Sequence, residues 1–324
     1  MKKTSILIFF LFVPLLSWAL SCSQCGKNIR RQYFKSNDSI FCSRKCLQET
    51  LPRCDQCGNY CEQSLYSLMN KNFCSQRCMK QKFKCAICQQ GLTNIITVSS
   101  AIGKKIIVCR ACSRLPRCYY CMTPTDNEAL TDGRHICREC KQTTVTDPAE
   151  ILRMFQVTRA QTAQWFGFDN THHINLKIVD LDELIRLSPN VYTPENGRKM
   201  SLMNYQQQIT EQRAGNKVIK RFVSAENCTI YVLDNIPRTM LIDAIIHELA
   251  HDHLRHNKGE VNDLTTEEGF CELAAALGNE KTGNEFLNRQ KELNPDPVYG
   301  GGYRKMRALY LQHHSLQQVL RYVK

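Results

Sequence analysis

The first sustained apolar run covers residues 5–20, from Ser5 to Leu20. It is shorter than the roughly 20 residues a membrane-crossing helix needs, and Pro14 interrupts it. Lys2 and Lys3 precede it, and the small residues Ala19 and Ser21 lie just before Cys22. A positive start, a short apolar run and a small-residue cleavage point predict an export signal over residues 1–21. Release to the periplasm or the extracellular space is the expected fate. Membrane anchoring through this segment alone is the alternative.

Helical spacing begins after residue 145. Asp147 suits an N-cap, Pro148 the first helical position and Glu150 the capping-box position, which predicts a helix to about Trp165. Residues 174–180 and 228–233 alternate or cluster β-branched and apolar side chains and read as strands. From Leu241 the pattern is helical again, with Leu241, Ile245 and Leu249 forming a buried stripe. A further helix is expected from Thr265 to about Leu277. The chain from 146 to 324 therefore reads as one α+β domain.

Cysteine changes the picture of what lies between. Of 19 cysteines, 17 fall between Cys22 and Cys140, and only Cys228 and Cys271 lie beyond. Cys22, Cys25, Cys42 and Cys46 recur 32 residues later as Cys54, Cys57, Cys74 and Cys78, with Phe-Cys-Ser at Phe41–Ser43 and Phe73–Ser75. Cys85, Cys88, Cys109 and Cys112 follow, then Cys118, Cys121, Cys137 and Cys140. Paired cysteines about 15–20 residues apart make four-cysteine zinc sites. Units of ~32 residues cannot bury enough apolar surface to fold alone, so the metal supplies the missing free energy. We expect two repeated treble-clef-like fingers over 22–80 and a LIM-like pair over 81–145, with four structural Zn2+ in all. Disulfide pairing after export is the rival chemistry. Cys61 is left over.

The formal charge of +13 suggests nucleic acid at first sight. Sixteen thiolates and four Zn2+ together contribute −8 and bring it to +5, so no nucleic-acid partner is expected.

The helix after the second strand carries His247-Glu248-Leu249-Ala250-His251. Residues at i and i+4 share a helix face, so both imidazoles can reach one zinc ion, and Glu248 can act as general base toward a water there. A third protein ligand is needed. Glu268 is the candidate, in the manner of gluzincins, because Glu272 lies one turn on to orient an imidazole; Glu267 is the competitor. His253 and His256 are expected to face solvent, and no spacing forces a role on His172 or His173. Tyr299 and Tyr303 flank Gly300-Gly301-Gly302. Tyr303 is the candidate donor to a developing oxyanion, against the plainer reading of a turn with two packed aromatics.

Residues 115–324 resemble the LIM-domain HExxH peptidases known best from plants, where ubiquitin-activated members limit organ growth. The landmarks are Leu130 to Cys140, Tyr231 to Arg238, His247 to His251 with Leu254-Arg255, Glu267 to Cys271, and Asp296 to Arg304. The resemblance implies a zincin-like fold and peptidase activity, with His247 and His251 as ligands, Glu248 as base and Glu267 or Glu268 as third ligand. It gives no ubiquitin-interacting helix here. The expected function is a zinc peptidase acting on a protein or peptide substrate, which would lie along residues 229–233 as an added strand. The zinc modules would recognise that protein. The alternative is a non-enzymatic zinc-binding interaction scaffold.

Overall fold

The computed structural model describes Thr4–Ser5 and residues 20–101, 103–168, 172–188, 199–214, 217–259 and 261–323. Most of the predicted export segment lies outside the described residues. Among those described, no helix is long and apolar enough to cross a membrane.

The chain is mixed α+β and divides into two compact units, Met1–Val98 with Ile106–Arg114, and Ser99–Lys105 with Leu115–Lys324. This division differs from the break in cysteine content near residue 145. The fourth cysteine module belongs to the second unit, where Cys118, Tyr120, Cys121 and Ile136 join the apolar core of the C-terminal helices.

In the first unit the sequence repeat is a structural repeat. Each of the first two modules has a hairpin (Phe34–Ser36 with Ser39–Phe41, then Ser64–Leu68 with Lys71–Phe73) followed by a short helix (Arg44–Gln48, then Gln76–Lys82). The Phe-Cys-Ser signature has a cause at each position. Phe41 and Phe73 are buried in the small cores. Ser43 and Ser75 cap the helices, their hydroxyls accepting the amides of Cys46 and Cys78 at 3.2 Å. The cap fixes the turn that carries the last cysteine.

The second unit starts with helix α1 (Pro148–Phe166), capped as expected by Asp147, which accepts the Ala149 amide at 3.0 Å. Glu150 does not complete a capping box; it pairs with Arg238. Strand β1 (Ile174–Val179), helix α2 (Leu181–Leu187) and strands β2 (Ser201–Ala214) and β3 (Lys217–Leu233) follow. The sheet order is β2-β3-β1, with β3 antiparallel to β2 and parallel to β1. The long hairpin was not apparent in the sequence, because Gln206–Gln208 and Glu211–Arg213 give its outer part no apolar alternation. Its topology corrects the expected substrate strand. Residues 228–233 pair with β1 on one side and β2 on the other, so they offer no free edge.

Helices α3 (Arg238–Lys258), α4 (Leu264–Thr282), α5 (Asn288–Leu293), α6 (Tyr299–His313) and the short α7 (Leu316–Val319) follow. Leu241, Ile245 and Leu249 are fully buried, as their spacing predicts. Gly300–Gly302 is not a turn but the first turn of α6, where the Asp296 carboxylate accepts the amides of Val298 and Tyr299 at 2.8 Å. The glycines answer to proximity. A Cβ at Gly302 would meet the Thr265 carbonyl oxygen at 2.4 Å, and one at Gly269 would meet the Gly302 carbonyl group at 2.5 Å. Helices α4 and α6 thus touch backbone to backbone.

A buried polar cluster joins the fourth module to the sheet. Arg134 donates to Asp132 at 2.7 Å and to the Tyr120 hydroxyl at 2.8 Å, and it pairs with Asp234 after β3. Asp132 in turn accepts the Leu181 amide at 3.0 Å, at the start of α2.

Gly269→Ala tests the helix contact. Overpacking against rigid backbone should cost about 1–3 kcal/mol or more in urea unfolding. An unchanged midpoint and slope would show that α4 and α6 are not in backbone contact.

Candidate metal centres

Four groups of four cysteines each bring one sulfur per residue within 4.8 Å of the others: Cys22/25/42/46, Cys54/57/74/78, Cys85/88/109/112 and Cys118/121/137/140. The spacing-based grouping is reproduced in full. Zinc–thiolate bonds of about 2.3 Å put the corners of a tetrahedron about 3.8 Å apart. The Cys25–Cys42, Cys57–Cys74, Cys88–Cys109 and Cys121–Cys137 sulfurs are 3.5, 3.6, 3.9 and 3.6 Å apart. None of the sixteen cysteines in these groups is disulfide-bonded. Disulfides would need sulfurs near 2.05 Å, so the geometry favours zinc over oxidation. One thiol in each of the first three groups is prepared for it, while neighbouring thiols and burial push others up, Cys42 and Cys74 to about 12. Burial pushes Cys22, Cys54 and Cys85 up, but backbone N–H groups outweigh it and hold each at about 6. The thiolate is the form that binds metal.

Cys61 stands outside these groups. It is fully buried in the second module's core beside Cys54, Phe73 and Met79, and burial pushes its thiol up to about 11. It is a packed core thiol outside the four ligand groups.

A fifth cluster forms where α3 crosses α4. His247 Nε2 and His251 Nε2 are 3.2 Å apart. Glu268 Oε2 lies 3.1 Å from the first and 3.5 Å from the second. Tetrahedral bonds of about 2.0 Å separate ligand atoms by about 3.3 Å, so these three atoms already have the spacing of a zinc ligand set. Glu267 is elsewhere: its Oε1 sits 3.0 Å from His251 Nδ1, on the far side of the ring. Glu272 takes the matching place behind His247, 3.6 Å from Nδ1, and Lys291 holds its other oxygen. Each imidazole thus has a carboxylate behind it, at hydrogen-bond distance for His251 and as a longer ion-pair contact for His247, with Nε2 the outward nitrogen.

The electrostatics favour a cation. Burial opposes charge on both imidazoles, yet Glu268 and Glu272 raise His247, and Cys271, Glu268 and Glu267 raise His251. Burial pushes the Glu268 carboxyl up, but the charge of His251 and hydrogen bonds from both rings hold it well below the usual range.

Glu248 is buried beside this group, and its Oε1 accepts a 2.6 Å hydrogen bond from the Ser201 hydroxyl at the start of β2. Lys199 stands close enough to feel Glu248 and Glu268, although burial dominates and lowers its pKa. Sequence reasoning missed both residues, since nothing in a polar stretch after the second strand marks them. The tyrosine expectation also changes. Burial raises both tyrosines, but the charges near Tyr299 are Glu268, His251 and Glu248, whereas those near Tyr303 are Arg307, Glu292 and Lys291. Tyr299, one helical turn earlier, is the residue that faces the cluster. His253 does not face solvent. It is buried and stacks on Phe168 with ring centroids 4.5 Å apart.

Replacing a ligand of one module should remove one zinc equivalent, and replacing Cys61 none. Elemental analysis of Cys57→Ser and Cys61→Ser checks the contrast. Equal zinc in the two variants would show that Cys57 is no ligand or that Cys61 substitutes for it.

The sequence matches no protein-family model and no curated protein, and the fold matches no solved structure, so the arrangement of these side chains carries the functional reading.

Proposed function

We propose that the second unit is a zinc-dependent peptidase and that the four-cysteine modules serve protein recognition. One observation carries the reading. Two imidazoles and a carboxylate from crossing helices converge at tetrahedral spacing, with a buried glutamate beside them. The landmark resemblance to LIM-domain HExxH peptidases points the same way, as does the apolar N-terminal segment for export.

His247, His251 and Glu268 would hold the ion. A zinc ion there would lower the pKa of a water and polarise a scissile carbonyl. Glu248 takes the proton of the attacking water and delivers it to the leaving amine. The Ser201 hydroxyl fixes one Glu248 oxygen, so the other is left to face the water. Tyr299, whose surroundings include Glu268, His251 and Glu248, would donate toward the developing oxyanion, in the role first assigned to Tyr303. Since β3 is paired on both sides, an extended substrate would add to the outer edge of β2, beginning near Ser201. That strand carries the residue that holds the general base.

Two experiments test the reading. Glu248→Gln should retain zinc and lose hydrolysis of an unfolded protein substrate by roughly 10²–10⁴-fold. Activity equal to wild type would remove Glu248 as the base. Full zinc with no hydrolysis by the wild type would favour the interaction scaffold.

Glu268→Ala should lose one zinc equivalent outright. Glu267→Ala should retain it with affinity weakened about 10–100-fold. Dialysis against graded chelator separates the two, and the reverse order would exchange their roles.

A further inference from the structure

We propose that α3 carries a second metal site on its opposite side, formed by His172, Asp252 and His256 and suited to a divalent first-row transition ion such as Zn2+. One ligand atom from each residue lies within 4.8 Å of the other two. His172 Nε2 is 3.0 Å from Asp252 Oδ1, close to the roughly 3.3 Å edge of a tetrahedral N/O site. The inference is independent of the peptidase reading.

Helix geometry sets the ligands. Asp252 and His256 are at i and i+4, on one face, as His247 and His251 are. At about 100° per residue the two pairs point roughly 140° apart around α3. The second pair therefore cannot share the first pair's ion. His172 comes from the segment just before β1, so an ion here would tie the sheet to the back of the helix.

The chemistry favours a ligand set over a chance contact. The Asp252 side chain is fully buried, and a buried carboxylate requires positive charge close by. Both imidazoles face it, with His256 Nδ1 3.6 Å from Oδ1. His256 Nδ1 also lies 2.8 Å from its own helix's Asp252 carbonyl oxygen. The Nδ1 atom thus points both to that carbonyl and toward the carboxylate, which turns the ring to Asp252. The two rings lie 4.3 Å apart at 30°, stacked side by side around the carboxylate. Their side chains remain about a quarter to a third exposed, so the ion has an entry path and room for a water as a further ligand. His253, between them in sequence, is turned away against Phe168. Two imidazoles and one carboxylate are donors for zinc and its neighbours and a poor match for calcium or magnesium.

The test uses the full chain and no activity. In His247→Ala/His251→Ala the cysteine modules account for four zinc equivalents, and a fifth is expected. Adding His172→Ala/His256→Ala should remove it. An unchanged count would overturn the proposal and leave the triad as an ion-pair clamp. Should the combined variant fail to fold, zinc titration calorimetry on chelator-washed His247→Ala/His251→Ala decides, with and without His172→Gln. One binding event weakened at least tenfold by His172→Gln supports the site; equal affinity overturns it. If instead His247→Ala/His251→Ala loses no zinc relative to wild type, the first site fails, and the second is still read from the His172 comparison.

Discussion

A single buried ammonium organises the helices around the His247/His251 cluster. Lys291 lies between Asp243 of α3, at 3.0 Å, and Glu272 of α4. Burial pushes its pKa down, but the two carboxylates push it further up, so it stays charged. Asp243 is also held by Asn279 at 2.6 Å, and Asn279 by Asn288 at 2.9 Å, which brings α5 into the same network. The Lys291 charge therefore decides where Glu272 points, and Glu272 faces His247 Nδ1. Removing one partner would strand a buried charge, typically at a cost of about 3–5 kcal/mol. The orientation of a prospective metal ligand thus depends on a lysine forty-four residues away in sequence.

The two units meet the need for a core by different means. The first two modules have cores of only a few side chains, such as Cys54, Cys61, Phe73 and Met79. Burial on that scale offsets little of the entropy of ordering ~32 residues, so ion binding is folding free energy there. In the second unit the core spans α1, the sheet, α3, α4 and α6, and it includes the fourth module's cysteines. That module is thereby a part of the α+β domain. Its Asp132-Gly133-Arg134 segment contributes the buried cluster with Tyr120 and Asp234.

What the sequence revealed was local. The cysteine groups were legible because each pair closes a turn and the repeat fixes which pairs belong together. His247 and His251 were legible because one helical turn is a fixed geometry. Glu268 was separable from Glu267 by its partner at i+4, and in the structure Glu268 lies against both Nε2 atoms while Glu267 lies behind His251. The failures were non-local. Gly300–Gly302 read as a turn because the neighbouring backbone of Thr265 and Gly269 is invisible in sequence. Tyr303 was preferred to Tyr299 without knowledge of which face of α6 meets α4. His253 was placed in solvent because Phe168, eighty-five residues earlier, is what covers it.

The free edge of the sheet was the least legible feature, and it bears most on how a substrate could be held. A strand immediately before an HExxH helix invites the view that substrate pairs with it. Here that strand is central, because the polar hairpin folds β2 onto its other side. The edges of the sheet fall to β2 and β1, and of the two it is β2 that holds Glu248 through the Ser201 hydroxyl. A peptide adding to β2 would order the strand whose first residue holds Glu248, the proposed general base. Binding and base positioning would then be coupled through one hydrogen bond, a link that a substrate strand at residues 229–233 would not provide.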